Sequence, residues 1–383
     1  MKISIDTRTL LSALNGLVKV VPLRSSSPIL ENILITADGN GVSLTASDLE
    51  TTMTVVIPDD GGANAVREVG RAVIPARLLH EIVKQVTDDT VAVESPDGVH
   101  AAGIAWGSGR SSLPCFEAAD YPDTSGGGGD AQTVSVHAPD LLSALNSTAF
   151  ATCDNGLRPA LSGILFEFTP DGSTVVATDA HRMACCDLDG VRTEKPAQFI
   201  LPKRNVAVLK GILGSLGDVP VTLTFGATGA VFSAEGTSLR VRPVADAFPR
   251  WRSIIPERGT SELTIGRQDL ASMLRRISVC ANKETAFVKM SLKAEVTGGL
   301  VTAHAQDAGF GISATETAQA GYSGEDVTIG FKATYILEQL AAMTCGTVRM
   351  LIRGPRGAVL LSPAGDGADE DRSYAVIMPV MVA

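Results

Sequence analysis

The sequence predicts an α+β protein made of three tandem copies of one domain, and three observations predict this. A strand-like apolar pattern followed by helix-like spacing occurs three times along the 383 residues. The 38 glycines lie mostly between short apolar runs, which is typical of strands joined by tight turns. The chain is also too long for one ordinary domain, since domains contain about 150 residues. Each copy is expected to hold two helices packed on antiparallel sheets.

The repeat keeps its register over a long stretch of sequence. Residues 10–15 (LLSALN) return with the same letters as residues 141–146, an offset of 131. The same offset relates Asp48 to Asp179. A third copy opens at residues 263–265 (LTI), so the chain contains three related segments rather than one duplicated half.

The first copy shows the order of the elements. Alternation at residues 3–5 predicts a short strand, and helical spacing follows over residues 8–24. Strands are expected around residues 33–35 and 42–44, with the turn sequence DGNG at residues 38–41 between them. The other copies repeat this order.

A second helix is expected later in each copy. In the first two copies Pro75 and Pro202 are predicted to occupy the helix start, where the missing proline N–H costs nothing. The third copy has Lys332 there. The six expected helices cover residues 8–24, 75–88, 138–158, 201–217, 267–283 and 331–347.

Domain boundaries follow from the repeat and from breaks in composition. Residues 125–130 (SGGGGD) are expected to form a flexible linker, although four glycines are also compatible with a long hairpin loop inside one domain. The second join is expected between Phe248 and Ser261, where prolines and a glycine interrupt regular structure. The predicted domains are residues 1–124, 130–250 and 258–383.

Composition excludes several classes of protein. The net charge of −10 argues against a uniformly basic nucleic-acid-binding domain. The six cysteines have no C-x-x-C spacing, so neither a disulfide framework nor a zinc site is expected. With no signal-like or membrane-spanning apolar run, we expect a cytoplasmic protein with reduced thiols, without metal or cofactor.

One stretch of the sequence is a candidate for catalytic chemistry. There is no phosphate-binding loop and no G-x-S-x-G motif. If the stretch around Asp179 is a strand, Asp179 and His181 share a face beside Cys185 or Cys186, as in a cysteine-dependent hydrolase. Alternatively, Asp179 is a turn residue that the repeat retains, because its counterpart Asp48 has no neighbouring His or Cys. The second interpretation is favoured, and no enzyme is expected.

Positive charge is concentrated on the expected helices. Their Lys, Arg, Asp and Glu residues sum to about +8, which leaves about −18 for the rest of the chain. This segregation indicates one surface facing a polyanion and another facing water. If two chains join head to tail, twelve helices about 10 Å wide line a bore of about 40 Å, wide enough for duplex DNA. Such a ring holds phosphates without reading bases; the basic candidates are Lys203, Arg204, Lys210, Arg275 and Lys283.

Six short segments add a further signal through their order and spacing: 28–34 (PILENIL), 47–50 (SDLE), 119–122 (ADYP), 178–184 (TDAHRMA), 247–249 (AFP) and 374–380 (YAVIMPV). Together they resemble the bacterial DNA polymerase III beta subunits, the sliding clamps, over essentially the whole chain. The resemblance implies a non-catalytic homodimeric ring of six DNA-clamp domains that tethers the polymerase to double-stranded DNA as a processivity factor. Its implied partners are the polymerase III alpha subunit, the clamp loader and other clamp-motif proteins.

The resemblance also implies site residues. Arg24, Asn155 and Arg158 match loops that contact DNA, and the strand from Ser111 to Leu113 would meet Val279 and Cys280 of a second chain at the dimer interface. A partner-peptide pocket would lie between domains two and three, and a groove with Met and Pro walls suits extended peptides with apolar anchors. A paralogous clamp with altered partner or inhibitor binding remains an alternative, since Ala180 and Ser253 depart from the usual pattern. The implied pocket residues are Thr178, His181, Arg182, Met183, Pro249, Ile254, Val376, Ile377, Met378, Pro379, Val380 and Met381.

Overall fold

The computed structural model describes residues 1–96, 100–123, 131–154, 156–226, 229–256, 261–296, 298–365 and 372–381. The linker expected at residues 125–130 lies outside this part of the chain. Within the described residues the chain forms six α-helices and twenty-five strands, with short 3-10 turns between some of them. The helices are α1 Thr7–Leu17, α2 Ala76–Gln85, α3 Ala138–Thr148, α4 Lys203–Leu213, α5 Arg267–Ser278 and α6 Ala333–Ala342.

The strands fall in a similar order in each third of the chain. They are β1 Lys2–Asp6, β2 Asn32–Asp38, β3 Gly41–Ser47, β4 Thr51–Pro58, β5 Ala65–Glu68, β6 Gly70–Pro75, β7 Thr90–Glu94, β8 Ala101–Trp106, β9 Gly109–Pro114, β10 Gln132–His137, β11 Gly163–Phe168, β12 Ser173–Thr178, β13 Arg182–Leu188, β14 Ala197–Pro202, β15 Pro220–Gly226, β16 Gly229–Ala234, β17 Thr237–Val241, β18 Ser261–Gly266, β19 Phe287–Glu295, β20 Gly298–Asp307, β21 Ile312–Ser323, β22 Val327–Lys332, β23 Thr347–Ile352, β24 Val359–Ala364 and β25 Ser373–Ile377.

The chain divides into two compact units. The first contains residues 1–139 and 204–243, and the second contains residues 140–203 and 244–383. Strands β5-β1-β7-β8-β9 form one antiparallel sheet and β10-β15-β16-β17-β4-β3-β2-β6 form another, both in the first unit. In the second unit, the order is β14-β11-β12-β13-β25-β24-β23-β18-β21-β20-β19-β22. The expected fold class of helices on antiparallel sheets is confirmed.

Helix α1 begins at a side-chain cap. The hydroxyl of Thr9 donates to the Asp6 carboxylate at 2.7 Å, and the Thr9 backbone N–H donates to it at 2.8 Å. These hydrogen bonds lower the pKa of Asp6. The helix then buries Leu10, Leu14 and Leu17, as the spacing predicts.

All six helices are shorter than the sequence pattern predicts, and α1 shows why. It ends at Leu17, and the backbone N–H groups of Val20 and Val21 both turn back to the Leu17 carbonyl. Val20 and Val21 are nevertheless buried, so the pattern of buried apolar residues extends beyond the end of the helix. The β-branched residues and Pro22 disfavour further helix.

Of two further local predictions, one is confirmed and the other is wrong. The DGNG turn is confirmed, because Asp38 pairs with Gly41 between β2 and β3 and Asn40 donates its N–H to the Asp38 carboxylate at 2.8 Å. The helix-start proline is wrong by one residue. Pro75 ends β6 and precedes α2, and Pro202 ends β14 and precedes α4, so both lie just outside the helix.

Successive thirds of the chain are joined edge to edge by strands. In the first unit β17 pairs with β4, with Val241 opposite Thr51. In the second unit β25 pairs with β13, with Ile377 opposite Arg182. Because Thr51 and Arg182 are 131 residues apart, the two joins use the same strand of the repeat.

Candidate functional site

The turn between β12 and β13 is built around Asp179. One carboxylate oxygen of Asp179 accepts the backbone N–H groups of His181 and Arg182, each at 2.9 Å. The Thr178 hydroxyl accepts the N–H of Ala180 at 3.1 Å and donates to the Arg182 carbonyl at 2.7 Å. Ala180 has φ 76°, in the left-handed region that favours glycine. The turn holds His181 exposed and Arg182 buried.

The first repeat contains the same turn. One Asp48 carboxylate oxygen accepts the backbone N–H groups of Glu50 at 3.0 Å and Thr51 at 2.6 Å, and Leu49 has φ 75°. The interpretation of Asp48 and Asp179 as turn residues retained by the repeat is therefore confirmed. Short-range hydrogen bonding by Asp stabilises such turns.

The catalytic alternative fails on geometry and on protonation. Asp179 and His181 lie in a turn, so they do not share a strand face with Cys185 and Cys186. Both thiols are buried in β13, and burial raises the pKa of Cys186 to about 12 and that of Cys185 further. A thiol that stays protonated at neutral pH is a poor nucleophile. The structure gives no support to a cysteine-dependent hydrolase.

The guanidinium of Arg182 is the centre of the cluster. Its Nε donates to Asp179 at 3.1 Å, its Nη1 donates to Glu338 on α6, and its Nη2 donates to the Phe150 carbonyl at 2.7 Å. The guanidinium also lies over two rings, with Cζ 4.5 Å from the Tyr335 centroid and 5.2 Å from that of Phe150. All three nitrogens therefore have partners within the chain. Arg182 positions the turn instead of offering a free charge to a partner.

His181 is exposed, so it is not a core histidine. Its ring lies nearly parallel to Tyr335, with centroids 6.4 Å apart. Its backbone carbonyl accepts the N–H of Met378 at 2.9 Å. The C-terminal segment is thus attached to the turn by its backbone, which leaves the side chains of His181 and Met378 at the surface.

The implied pocket residues divide between a buried floor and an exposed rim. Met183 and Val376 pack together in one apolar cluster, which also contains Trp251. Ile377 packs in a different cluster, the core of the third repeat. Three apolar side chains beyond β25 remain exposed, and we call them the tail strip: Met378, Val380 and Met381.

The other implied rim residues are also accessible. Pro249 is exposed, and Ile254, at the end of a 3-10 turn that begins with Trp251, is 47% exposed. The Val380 N–H donates to the Gly330 carbonyl at 2.8 Å, which fixes the tail strip against β22, and Pro379 lies between two members of the strip. The tail strip therefore presents apolar side chains from a fixed backbone.

Three residues that contact Arg182 were not predicted from the sequence: Phe150, Tyr335 and Glu338. Two of them lie on α6, more than 150 positions away in sequence. One signal in the sequence indicates Tyr335. When α6 is aligned with α4, Tyr335 stands at the position of Asn205. The Asn205 amide donates at 2.6 Å to Thr51, which is the counterpart of Arg182 in the first repeat.

The basic candidates have different environments. Arg204 pairs with Asp48 at 3.2 Å and with Glu50, and Lys203 pairs with Asp154 at 2.5 Å, so both charges are neutralised locally. Asn155 lies outside the described residues. The remaining candidates form no ion pair within the described part of the chain: Arg24, Arg158, Lys210, Arg275 and Lys283.

The implied interface residues lie at an edge strand and a helix end. Ser111 and Leu113 belong to β9, which is the edge strand of its sheet, although the Leu113 side chain is buried. Val279 directly follows α5 and is 78% exposed, and the next residue is Cys280.

No group of His, Cys, Asp and Glu among the described residues is arranged to bind a metal. No helix among them has the length and apolar character needed to cross a membrane.

Similarity to known proteins extends over nearly the whole chain. Models of the N-terminal, central and C-terminal domains of the DNA polymerase III beta subunit match residues 1–125, 135–250 and 252–381. The beta sliding clamp of Vibrio cholerae is 27% identical over 99% of this chain and all of its own length. That of Pseudomonas aeruginosa is 28% identical, also over 99% of this chain and all of its own length.

Solved structures agree with these matches. A sliding clamp from Pseudomonas aeruginosa bound to griselimycin superposes with a TM-score of 0.91 at 26% identity, covering both chains completely. A clamp from Bacillus subtilis, 24% identical, has the same fold with a TM-score of 0.91 and complete coverage of both chains. With its three clamp domains of paired helices on antiparallel sheets, the chain belongs to the DNA polymerase III beta subunit family, the beta sliding clamps.

Proposed function

We propose that two copies of this chain close into a ring that encircles duplex DNA and tethers the replicative polymerase as a processivity factor. The observation that carries the proposal is the pattern of strand pairing between repeats. Inside the chain, strand pairing joins the first repeat to the second and the second to the third. The two strands that would form a third join of the same kind have no partner strand for it among the described residues. The family relationship supports the same conclusion and implies no catalytic role.

The third join follows from the first two. At the internal joins, Thr51 faces Val241 and Arg182 faces Ile377. The equivalent strands in the remaining positions are β21, which begins at Ile312, and β9. Among the described residues, residues 312–320 of β21 pair only with β20, and β9 pairs only with β8. Each strand therefore has a free edge, which is a template for pairing with another chain.

We infer the register of that pairing from the repeat. Val241 and Leu113 are each the fifth residue of their strand, and both strands follow a hairpin loop of two residues. Thr51, Arg182 and Ile312 are each the first residue of theirs. The pairing of Thr51 with Val241 therefore places Ile312 opposite Leu113 of the second copy.

Apolar surface near this edge supports the association. Ile312 is 43% exposed and the nearby Phe310 is 78% exposed. Pairing with a second chain would remove apolar surface here from water, which favours association.

Two copies joined in this way are head to tail and contain six repeats. A closed arrangement holds DNA by topology, so the contacts with phosphates can remain diffuse and independent of sequence. The cations without ion-pair partners in the described chain suit this role better than Lys203 and Arg204, whose charges are neutralised. We propose as the DNA-facing set Arg24, Arg158, Lys210, Arg275 and Lys283, with Asn155 as a further candidate.

We also propose that partners dock at the tail strip and the other apolar rim residues. An extended segment can fill such a surface with alternate side chains, as in other peptide-recognition surfaces. The expected partners are the polymerase alpha subunit, the clamp loader and other proteins with clamp-binding segments. We further propose that the domains cover residues 1–124, 130–250 and 258–383. We also propose that the protein is located in the cytoplasm.

The test is topological. The native mass should be twice the 39.8 kDa of one chain. After loading by a bacterial clamp loader, the protein should be retained on nicked circular DNA and released when the circle is cut. A particle that is monomeric at every concentration, or one never retained on circles, rules the ring out. Retention without stimulation of a polymerase would indicate a paralogous clamp with altered partners.

A further inference from the structure

Three basic side chains lie at the corner between the Asp179 turn, α6 and the tail strip. They differ in their interaction partners. Arg182 has a hydrogen-bond partner for each of its three nitrogens. His181 is exposed and stacks near Tyr335. The third basic residue is Lys332, the last residue of β22, directly before α6.

Lys332 has no carboxylate partner among the described residues. Its Nζ lies 5.2 Å from the centroid of Tyr335, the ring on which Arg182 and His181 also lie. The two carboxylates of this corner, Asp179 and Glu338, are both directed at Arg182. A formal positive charge that is not paired with a described carboxylate therefore remains beside the aromatic ring.

The tail strip runs next to this lysine. Val380 pairs with Gly330 through an antiparallel bridge. Met378 lies two residues before Val380 and Lys332 two residues after Gly330, so both fall on the same side of that bridge. Met378 is in turn fixed to His181 by its backbone N–H. Exposed apolar surface and an available cation therefore share one edge.

We propose that Lys332 selects an acidic side chain in the extended segment that docks on the tail strip. The proposal rests on the partner-binding role proposed above and names the chemistry of the partner. Apolar anchors would cover Met378, Val380 and Met381, and a carboxylate one or two residues away would pair with the Lys332 ammonium. Arg182 and Lys332 together balance the formal charges of Asp179 and Glu338, so selection depends on direct contact between the partner carboxylate and the Lys332 ammonium.

The same geometry excludes Arg182 as the selecting residue. A carboxylate of the partner could bind Arg182 only by displacing Asp179, Glu338 or the Phe150 carbonyl. Displacement would leave a polar group of the cluster unpaired, which is costly. Lys332 is half-buried, and its ammonium can donate to a partner carboxylate without breaking an ion pair of the described chain.

Binding of synthetic peptides tests the proposal. The probes are fluorescent hexapeptides with two leucines two residues apart and Glu, Gln or Lys at each remaining position in turn. Their affinities for the full-length chain are measured by anisotropy at low and high salt. One position should prefer Glu over Gln by about threefold or more, with the preference reduced by salt.

Charge substitution then identifies the residue. Lys332→Gln should abolish the preference for Glu, and Lys332→Glu should reverse it in favour of the Lys peptide. Lys293→Glu, on β19 of the same repeat, is the matched control and should leave the preference intact. Equal binding of Glu and Gln peptides by the unaltered chain, or a preference that survives Lys332→Glu, overturns the proposal. Failure of every peptide to bind also overturns it, while retention of the same preparation on circular DNA reports separately on the clamp function.

Discussion

Leu49 and Ala180 both adopt a left-handed backbone, with φ 75° and 76°, at positions 131 residues apart. Neither is glycine, although the left-handed region costs residues with a Cβ about 1 kcal/mol or more. Each strained residue follows an Asp whose carboxylate accepts the two backbone N–H groups just beyond it. The strain is therefore sustained by the hydrogen bonds of the turn.

Relief of this strain should stabilise the protein. Ala180→Gly is expected to raise the free energy of unfolding by about 0.5–1 kcal/mol, because glycine adopts positive φ without penalty. Ala184→Gly, on β13 with ordinary strand geometry, is the control and should destabilise. Denaturant unfolding of the two variants measures both effects. Equal losses at the two sites would contradict the strain argument.

Removal of the Arg182 side chain should be far more damaging than removal of an exposed arginine. Arg182→Ala removes the side-chain donor of the second Asp179 carboxylate oxygen and of the Phe150 carbonyl in a part-buried cluster, so a loss of about 3 kcal/mol is expected. Arg276→Ala breaks an exposed pair with Glu316 and should have little effect on stability. Thermal unfolding distinguishes the two, and similar shifts would show that burial of the cluster is unimportant.

The cap of α1 gives a pH-dependent prediction. Its hydrogen bonds lower the pKa of Asp6 in the folded chain, so the stabilisation is present above the unfolded value of about 3.9 and is lost as pH falls through the lower folded value. At pH 7, Asp6→Ala should cost about 1 kcal/mol, as for other N-cap losses. The difference from the unaltered chain should shrink in acid. A difference that grows as pH falls from about 5 to about 3 would refute this account.

Disulfide cross-linking tests the proposed register between copies. A chain carrying both Leu113→Cys and Ile312→Cys should form a covalent dimer under mild oxidation, because directly opposite residues in antiparallel strands have Cα atoms about 4.5–5.5 Å apart. The pair Leu113→Cys with Ala314→Cys is displaced by two residues and should cross-link less well. Each single variant controls for native cysteines. Preferential cross-linking of the displaced pair would shift the register.

DNA binding should depend on the cations without ion-pair partners. Lys210→Gln is expected to weaken DNA binding for all sequences and to reduce its salt dependence, with the logarithmic slope changing by about one for each phosphate that is no longer neutralised. Arg204→Gln should leave that slope unchanged, because the Arg204 charge is paired with Asp48 and Glu50. Titrations across a range of salt concentrations measure the slopes; a larger slope change for Arg204→Gln would reverse the assignment.

The sequence predicts the parts of this molecule that depend on short-range patterns. The repeat, the DGNG turn and the role of Asp179 follow from local spacing and turn chemistry. The helix ends could not be predicted in this way. Val20 and Val21 continue the helical spacing of apolar residues, but they are buried in a turn beyond the end of α1. The partners of Arg182 could not be predicted either. Glu338 lies 156 positions away, and nothing local signals which helix packs on the turn.

The two versions of the Asp turn meet their neighbouring helix with opposite charge. At Asp48 the turn presents carboxylates and α4 supplies the cation Arg204, whereas at Asp179 the turn supplies Arg182 and α6 presents Glu338. A chain of similar repeats is prone to assembling in the wrong order. Docking α6 on the first turn would leave Asp48 and Glu50 without the Arg204 cation, and docking α4 on the second would leave Arg182 without Glu338. The opposite polarity therefore distinguishes otherwise interchangeable repeats while the chain folds.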